Sequence, residues 1–313
     1  MACSIKPLLT RRSGRDAGMA LFAVLAFLIL IAAAITPISV SAHIDALVTR
    51  NSIRETQDRF AVEGIVRLAG AVYAERAYAL RGRPNVKMPS RIACFDDGRE
   101  SNITFAFLNH SGLVDLNAAS PELLEVGFRA LGVEAGRASA LAVEAERYRS
   151  AEPPDGGGGD QRYKRAPFET VFELGDLASG DKRLSSALLY QAAPSVFTIH
   201  SKSGTLDTSV APVAVASAAR TLGTRDAPYL VEDGGRLPAL TIIAAVRRPG
   251  RPDVTASGVY AVELSEDAAA VRILEPMRLR SADSDAEPAD TARAGCDTLF
   301  APPLRQAMFE VLR

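Results

Sequence analysis

The stretch from Ala17 to Ile35 reads AGMALFAVLAFLILIAAAI and contains no charged side chain. A helix needs about 20 apolar residues to cross a bilayer, so this stretch is long enough to span one. Basic residues precede it at Lys6, Arg11, Arg12 and Arg15. The positive-inside rule therefore keeps the amino terminus in the cytoplasm. We expect a single-pass inner-membrane protein with the bulk of the chain in the periplasm.

Two ordinary interpretations of this stretch stay open. One is a plain signal anchor, and the other is a secretory signal peptide cleaved after Val40-Ser41-Ala42, where the residues are small enough for the peptidase. Against the signal peptide, the apolar run exceeds the usual core of about 7 to 15 residues.

A third interpretation comes from the junction itself, where the basic stretch ends at Gly18 and Met19-Ala20-Leu21-Phe22-Ala23-Val24-Leu25 follows at once. This junction resembles the leader of a type IV prepilin or pseudopilin. The resemblance implies that prepilin peptidase cuts after Gly18 and that Met19 becomes the methylated first residue. The mature protein would keep the apolar helix for assembly, with Leu21, Phe22, Ala23 and Leu25 near its start.

Ala23 stands where most pilin-like proteins have glutamate at the fifth mature position. A protonated terminal amine among apolar helices is costly unless a neighbouring charge neutralises it. A subunit without the glutamate is poorly suited to joining below an existing member, but it could start a fibre as the outermost subunit. A simple anchor that never needed a glutamate explains Ala23 equally well.

Composition supports a globular protein outside the membrane. At about 150 residues per domain, 313 residues suggest roughly two domains, and 48% apolar with 23% charged residues is ordinary. The 36 basic and 37 acidic residues leave a net charge of −1, which argues against a polyanion-binding protein. The three histidines and three cysteines lie far apart, without zinc-finger or iron-sulfur spacing.

Period analysis predicts a helix followed by strands. Residues Ile44 to Leu80 favour a helix with Ala61, Ile65, Leu68 and Val72 on one face, which ends at Arg81-Gly82-Arg83-Pro84. Period-two patterns then predict five strands. They cover Arg91 to Phe95, Ile103 to Leu108, Ala239 to Arg247, Val254 to Leu264 and Val271 to Leu279.

The segment Gly112 to Leu124 reads GLVDLNAASPELL. Ser120 before Pro121 predicts a helix start, because serine caps helices and proline suits the first helical position. Ala135 to Arg149 predicts a second helix. A similar pattern returns at Gly204 to Pro212, GTLDTSVAP, which indicates a weak internal duplication.

This combination of segments resembles the minor pseudopilin K family of type II secretion systems (general secretion pathway protein K). The segments that carry the resemblance are the leader, Asp115 to Asn117, Tyr163 to Phe168 with Val171 to Leu174, and Asp207 to Pro212. That family also lacks the fifth-position glutamate. Ser209 and Val210 depart from its Asn-rich second motif.

The resemblance implies an α+β protein: a long N-terminal transmembrane and amphipathic helix, then a pilin-like antiparallel sheet interrupted by a mostly helical insertion. We divide the chain into a prepilin leader (1–18), the helix (19–83), the first part of the sheet (84–111), the insertion (112–225) and a C-terminal β part that completes the sheet (226–313). The segment from Ser281 to Asp290 is expected to be a loop.

The implied function is initiation of the secretion pseudopilus at its tip, in support of protein export across the outer membrane. The implied partners are other minor pseudopilins, prepilin peptidase and, more speculatively, the secretin or secreted cargo. A minor pilin of a type IV pilus or competence system is the alternative, and a membrane-anchored domain that never polymerises is a more distant one.

Cysteine usage suggests one covalent link. Cys3 would leave with the leader, whereas Cys94 and Cys296 lie on the oxidising side, each beside a β-like segment. We expect a disulfide between them, with free buried thiols as the alternative.

One segment could hold a cation. Asp155 and Asp160 flank four glycines, and carboxylates with exposed carbonyls suit calcium. A flexible linker explains the same residues, so no cofactor is certain and calcium is possible.

Catalysis is not expected. Gly175 to Lys182 lacks the ending of a phosphate-binding loop, and no nucleophile with a companion base is evident. Leu131 to Ala138 resembles the hairpin of a helix-hairpin-helix DNA-binding element. Acidic residues outnumber arginines around it, so nucleic acid is not an expected partner. A DNA-binding periplasmic protein stays open as the less favoured alternative function.

Overall fold

The computed structural model describes residues 14–80, 88–96, 101–151, 164–177, 191–222, 227–232, 236–249, 253–264, 269–281 and 294–312. It separates into two compact units, residues 1–58 and 59–313. The first unit contains the apolar part of helix α1, which spans Gly14–Ala79 and includes Pro37. The second unit contains the last turns of α1 and all other described elements.

The last turns of α1 pack on a sheet through one buried face. This face lies about one residue along the helix from the face that the sequence predicts. The fully buried apolar residues are Val62, Ile65, Val66, Ala69, Tyr73 and Ala74. Of the four residues predicted for this face, only Ile65 is fully buried, whereas Ala61, Leu68 and Val72 lie at its half-buried edge. The predicted spacing of buried residues was right, but the centre of the buried face lies about one residue away, because Ala69, Tyr73 and Ala74 also pack against the sheet.

The sheet has six strands in the order β10-β1-β2-β7-β8-β9. Their bounds are Arg91–Phe95 (β1), Asn102–Asn109 (β2), Ala239–Arg247 (β7), Val254–Leu264 (β8), Ala269–Ser281 (β9) and Ala294–Gly295 (β10). All neighbouring strands are antiparallel except β10, which runs parallel to β1. The α+β class with a long apolar N-terminal helix is confirmed, and the five longer strands lie where the sequence predicted them.

One face of the sheet packs against α1 and the carboxyl-terminal residues. Burial alternates along β2, where Ile103, Phe105 and Phe107 are buried and their neighbours are half-buried. This alternation is typical of a strand with one covered face. The ring of Phe105 lies 5.2 Å from that of Phe300, and Phe107 stacks on Tyr73 at 4.5 Å.

Helix α6, Pro302–Val311, completes this core through Met308 and Phe309. The sequence analysis assigned only β structure to the chain after residue 226, so this helix is a difference between expectation and structure. Its start is marked by Pro302 at the first helical position, which does not need a backbone N–H.

A second body is inserted between the neighbouring strands β2 and β7. Its helices are Pro121–Ala130 (α2), Ala135–Arg149 (α3), Leu174–Leu177 (α4) and Val213–Leu222 (α5). It also contains two small parallel pairs, Val114–Asp115 (β3) with Phe197–Thr198 (β4), and Leu206–Asp207 (β5) with Leu230–Val231 (β6). Since β6 pairs inside this body, the insertion continues past residue 225 and the chain re-enters the sheet at Ala239.

The insertion has a hydrophobic core of its own, separate from that of the sheet. The largest fully buried side chains in it are Phe128, Phe197, Leu116, Leu123, Leu124, Leu141 and Leu174. Helix α2 begins where predicted, with Pro121 in the first turn and the Ser120 hydroxyl accepting the Leu123 N–H at 3.4 Å. The insertion is therefore a folded body and not an extended loop.

Candidate functional site

The apolar part of α1 is exposed over its whole length. Its most apolar 18-residue window has a mean hydropathy of 2.8 and no buried residue, and the helix is long and apolar enough to cross a membrane. Leu21, Phe22, Ala23 and Leu25 all lie on this exposed part. Because exposed leucine and phenylalanine are unfavourable in water, this segment needs lipid or other helices around it.

The proposed processing junction lies near the start of the same helix. Gly18 falls within the backbone of α1, and the side chain of Met19 is 77% exposed. The helix begins at Gly14, so it includes the last residues of the predicted leader. Cleavage after Gly18 would leave nearly the whole of α1 on the mature chain.

The motif at Asp115 organises the insertion. The Asp115 side chain is buried, and its Oδ1 accepts the backbone N–H groups of Asn117 at 2.8 Å and Ala118 at 3.1 Å. Its Oδ2 accepts the Ser201 hydroxyl at 3.0 Å and the Lys202 N–H at 2.8 Å. The carboxylate thus joins the β3–α2 turn to a segment more than eighty residues later, which is a structural role.

Asn117 connects the same turn to the Phe168 segment. Its amide Nδ2 donates to the Phe168 carbonyl at 2.9 Å, and its Oδ1 accepts the Phe168 N–H at 2.7 Å. At the end of α3, the Arg149 guanidinium donates to the carbonyls of Leu116 and Ala119 at 2.6 and 2.5 Å. Burial lowers the pKa of Arg149. Two of the motifs that carry the family resemblance, Asp115 to Asn117 and Tyr163 to Phe168, are therefore in direct contact.

The internal duplication has a structural counterpart. Both copies consist of a two-residue strand ending in aspartate, a turn and a ten-residue helix, α2 in one copy and α5 in the other. Asp207 Oδ1 accepts the Ser209 N–H and hydroxyl, much as Asp115 accepts the N–H of Asn117.

The two copies also pack on each other through equivalent glycines. A Cβ on Gly112 would lie 2.7 Å from the Ala211 backbone, and one on Gly204 would lie 3.0 Å from the Ala118 carbonyl. Each glycine precedes the aspartate of its own copy by three residues and meets the turn of the other copy. Close backbone approach, which only glycine permits, holds the pair together.

Cys94 and Cys296 are joined by a disulfide with a Cα–Cα distance of 4.7 Å. These are the two cysteines that the sequence analysis paired. Both are buried in the sheet core, and the parallel pairing of β1 with β10 brings them together. The bond fastens the carboxyl-terminal segment to the first strand.

Loss of this disulfide is expected to lower the free energy of unfolding by about 3 kcal/mol, because a long loop in the unfolded chain is no longer constrained. The test compares Cys94→Ser/Cys296→Ser with the parent chain by denaturant unfolding in detergent. Reductant should weaken the parent and leave the double variant unchanged. Equal stability of parent and double variant would show that the bond does not form in solution.

The candidate calcium residues Asp155 and Asp160 lie outside the described residues. Within the parts of the chain that the structure describes, no group of three or more metal-ligating side chains is found. The nearest described carboxylates after that segment are engaged. Glu169 and Glu173 pair with Lys164 at 3.1 and 3.0 Å, and Glu173 accepts the Tyr148 hydroxyl at 3.3 Å. Burial, with help from Glu173 and Asp176, raises the pKa of Tyr148 to about 12.

The DNA-binding alternative depends on the hairpin between α2 and α3. Gly132 adopts a positive φ of 83°, as such a hairpin requires. The amino end of α3, however, is capped by the chain itself: the Glu134 carboxylate accepts the Gly136 N–H at 3.2 Å. A phosphate would meet this carboxylate at the position where it needs free N–H groups, so the hairpin is better suited to packing α2 on α3.

A polar cluster that the sequence did not predict lies where the insertion meets the sheet. It contains His110, which follows β2, and His200 and Glu275, whose side chains lie 3.0 Å apart. The two imidazole rings are 5.8 Å apart. Nothing in the sequence signals this cluster, because its members are far apart along the chain and fit no ligand spacing.

No protein-family model matches the sequence, and none of the curated proteins matches it. Among solved structures, the fold is similar to a chain of the GspK-GspI-GspJ complex from the type 2 secretion system of enterotoxigenic Escherichia coli. The two chains share 12% sequence identity and superpose with a TM-score of 0.49. The match covers 74% of this chain and 99% of that chain.

Proposed function

We propose that this chain is a minor pseudopilin of a type II secretion system that starts the pseudopilus as its tip subunit. After prepilin peptidase removes the leader, α1 holds the subunit in the inner membrane and packs against the helices of other minor pseudopilins. The folded insertion lies on the periplasmic side, where it is available to the secretin or to secreted cargo.

The observation that carries the proposal is the exposed, uncharged helix that follows Gly18 and has Ala23 at its fifth position. A subunit that joined beneath another would bring a carboxylate to neutralise the terminal amine of the subunit above it, since an unpaired charge in an apolar bundle is costly. Ala23 supplies none. This favours the first position in a fibre, where the subunit has nothing above it to neutralise.

The insertion supports the same position. A second body with its own core, placed between adjacent strands of the sheet, is a large addition to a pilin-like subunit. Repeated packing along a fibre would have to accommodate this body at every step, whereas the end of a fibre has to accommodate it once.

The mature amino terminus provides the first test. Mass spectrometry of the chain purified from membranes should find Met19 as the first residue, with or without a methyl group. Gly18→Leu should leave the leader attached, because the leader peptidase of this class cuts after a glycine, and the matched change Gly14→Leu should be processed normally. A first residue at His43 would instead indicate ordinary export, and an intact Met1 a simple anchor.

Co-purification then separates a tip subunit from an anchored domain. When the processed chain is extracted in mild detergent from its own cells, other minor pseudopilins of the secretion system should accompany it. Recovery with type IV pilus subunits would favour the pilus alternative. If the chain begins at Met19 and is nevertheless recovered without any other pseudopilin, assembly into a tip complex is contradicted.

A further inference from the structure

The insertion and the sheet have separate cores, so the contacts between them decide how firmly the two bodies are held. Two backbone connections cross the junction, one after Asn109 and one before Ala239. They are bonded to each other, since Asn109 Nδ2 and the Ser111 hydroxyl donate to the Arg236 carbonyl at 2.8 and 3.0 Å.

His110 bridges the two bodies at this junction. Its Nδ1 lies 2.7 Å from the Thr198 hydroxyl, which belongs to β4 of the insertion. Its Nε2 lies 2.7 Å from the Thr241 hydroxyl, which belongs to β7 of the sheet. The side chain is buried, with 3% of the residue exposed. One imidazole therefore closes a hydrogen-bonded link from one body to the other.

This link suits a neutral imidazole. The Thr198 hydroxyl oxygen already accepts the backbone N–H of His200 at 3.0 Å, so its own proton can be donated to His110 Nδ1. The Nε2–H can then be donated to Thr241. In a doubly protonated ring both nitrogens are donors, and Thr198 would lose the acceptor for its proton while a charge was buried.

The charges around His110 do not compensate for a second proton. The neighbouring group with an electrostatic effect on His110 is His200. Two protonated imidazoles carry the same sign, so His200 does not stabilise a charged His110. On β9, Glu275 is paired with His200 at 3.0 Å and with Arg278 at 3.4 Å. Arg278 also lies over the Phe172 ring at 4.5 Å. On the insertion side, Asp115 is bonded to the Lys202 N–H and the Ser201 hydroxyl, and the Arg236 guanidinium donates to Ser203.

We propose that this junction is a pH-sensitive clasp: acidification protonates His110, breaks its link between Thr198 and Thr241, and loosens the insertion from the sheet while both cores stay folded. The separate cores allow this, because the two hydrophobic clusters have no residue in common and the contacts of Asn109, His110 and Ser111 across the junction are hydrogen bonds.

The direction of the effect follows from linkage. Burial, with a smaller contribution from His200, lowers the pKa of His110 to about 3, whereas an exposed imidazole titrates near 6.5. The open junction therefore binds a proton more readily, and closure is lost as the pH falls below about 6.5. Between pH 7.5 and 5.0 the ratio of open to closed junction should rise up to about thirty-fold.

Glu275 does not produce this change in the same pH window. The hydrogen bond from His200 lowers the pKa of Glu275, so its contribution is present above its ordinary value near 4.5 and is lost only at lower pH. Thirty-fold is an upper value, because it applies to a His110 side chain that is fully exposed in the open junction.

Hydrogen exchange of the full-length chain in detergent micelles tests the clasp. Exchange at pH 7.5 and 5.0, corrected for the intrinsic chemical rates, is compared between junction peptides 110–113 and 199–201 and core peptides 103–107 and 121–130. The junction peptides contain the backbone N–H groups of Ser111, Leu113 and His200, which are bonded to Asn109, His110 and Thr198. We expect the junction to lose protection at pH 5.0, by up to about thirty-fold, while the core peptides keep theirs.

Variants separate His110 from the other histidines. His110→Gln retains a donor and an acceptor but cannot be protonated, so its junction exchange should not depend on pH after correction. His200→Gln should raise junction exchange at both pH values and keep the dependence, and His43→Gln, in the other unit, should behave as the parent. Thr241→Val keeps the imidazole and should loosen the junction at both pH values.

Three results would overturn the clasp. The first is equal junction protection of the parent chain at the two pH values. The second is unchanged pH dependence in His110→Gln. The third is simultaneous loss of protection in junction and core, which would mean that acid unfolds the whole unit.

Discussion

Asp115→Ala is expected to lower the free energy of unfolding by about 4 kcal/mol, because it removes one buried acceptor and leaves several donors without a partner. The four groups that lose their bond are the N–H groups of Asn117, Ala118 and Lys202 and the hydroxyl of Ser201. They belong to both halves of the insertion, so the change weakens the core as a whole. Denaturant unfolding of the full chain in detergent measures the effect.

Two further variants identify the cause of this loss. Asp115→Asn keeps one acceptor oxygen and the shape of the side chain, so it should be less harmful than alanine. Asp297→Ala removes a carboxylate that is 74% exposed and should change stability by no more than about 0.5 kcal/mol. If Asp115→Ala were as mild as Asp297→Ala, the motif would not have the structural role assigned to it.

Gly112→Ala is expected to lower the free energy of unfolding by about 3 kcal/mol. The added methyl group would meet the Cα and N of Ala211 at 2.7 Å, and backbone atoms cannot rotate away as a flexible side chain can. Relief requires the two copies of the duplicated element to separate. The same denaturant titration checks the result, and hydrogen exchange in α2 and α5 should rise with it.

Gly64→Ala provides a control that should change the free energy of unfolding in the opposite direction. Gly64 lies inside α1, and a Cβ there would have no atom within 4 Å. Alanine is the better helix former by about 1 kcal/mol, so this change should raise stability. A stabilising Gly112→Ala would contradict the close packing of the two copies.

The local patterns predicted most of the fold. The alternation in Ile103, Phe105 and Phe107 indicated a strand with one covered face, and Ser120-Pro121 marked the start of α2. Such signals act between residues close in sequence, so they can be recognised without knowing the tertiary structure. The order of the main elements followed from them, whereas the α+β class was implied by the family resemblance.

Features that depend on distant contacts could not be predicted in this way. The short strand β10 has two residues and is defined only by its partner β1. Helix α6 begins with Pro302-Pro303, a pair that reads as a break in structure as readily as a helix start. The end of the insertion was placed too early, at residue 225, because β6 pairs with Leu206–Asp207 inside the insertion and no local pattern reveals this pairing.

The residues of the candidate site also fall into two groups, those that a local motif predicts and those that depend on distant contacts. Asp115 and Asn117 were found as a motif, but their partners at Ser201 and Phe168 lie many residues away. The importance of His110 depends wholly on Thr198 and Thr241, which have no periodic relation to it. A lone histidine in a sequence carries no information about which hydroxyls will surround it.

The link between Cys94 and Cys296 spans 202 residues of sequence. During synthesis, Cys94 is made with the first strand, and Cys296 follows only after the insertion and four further long strands have been made. Oxidation is therefore delayed until the ribosome has almost finished the chain. A polypeptide that stops early presents a lone thiol, which gives quality-control machinery a chemical mark of incompleteness.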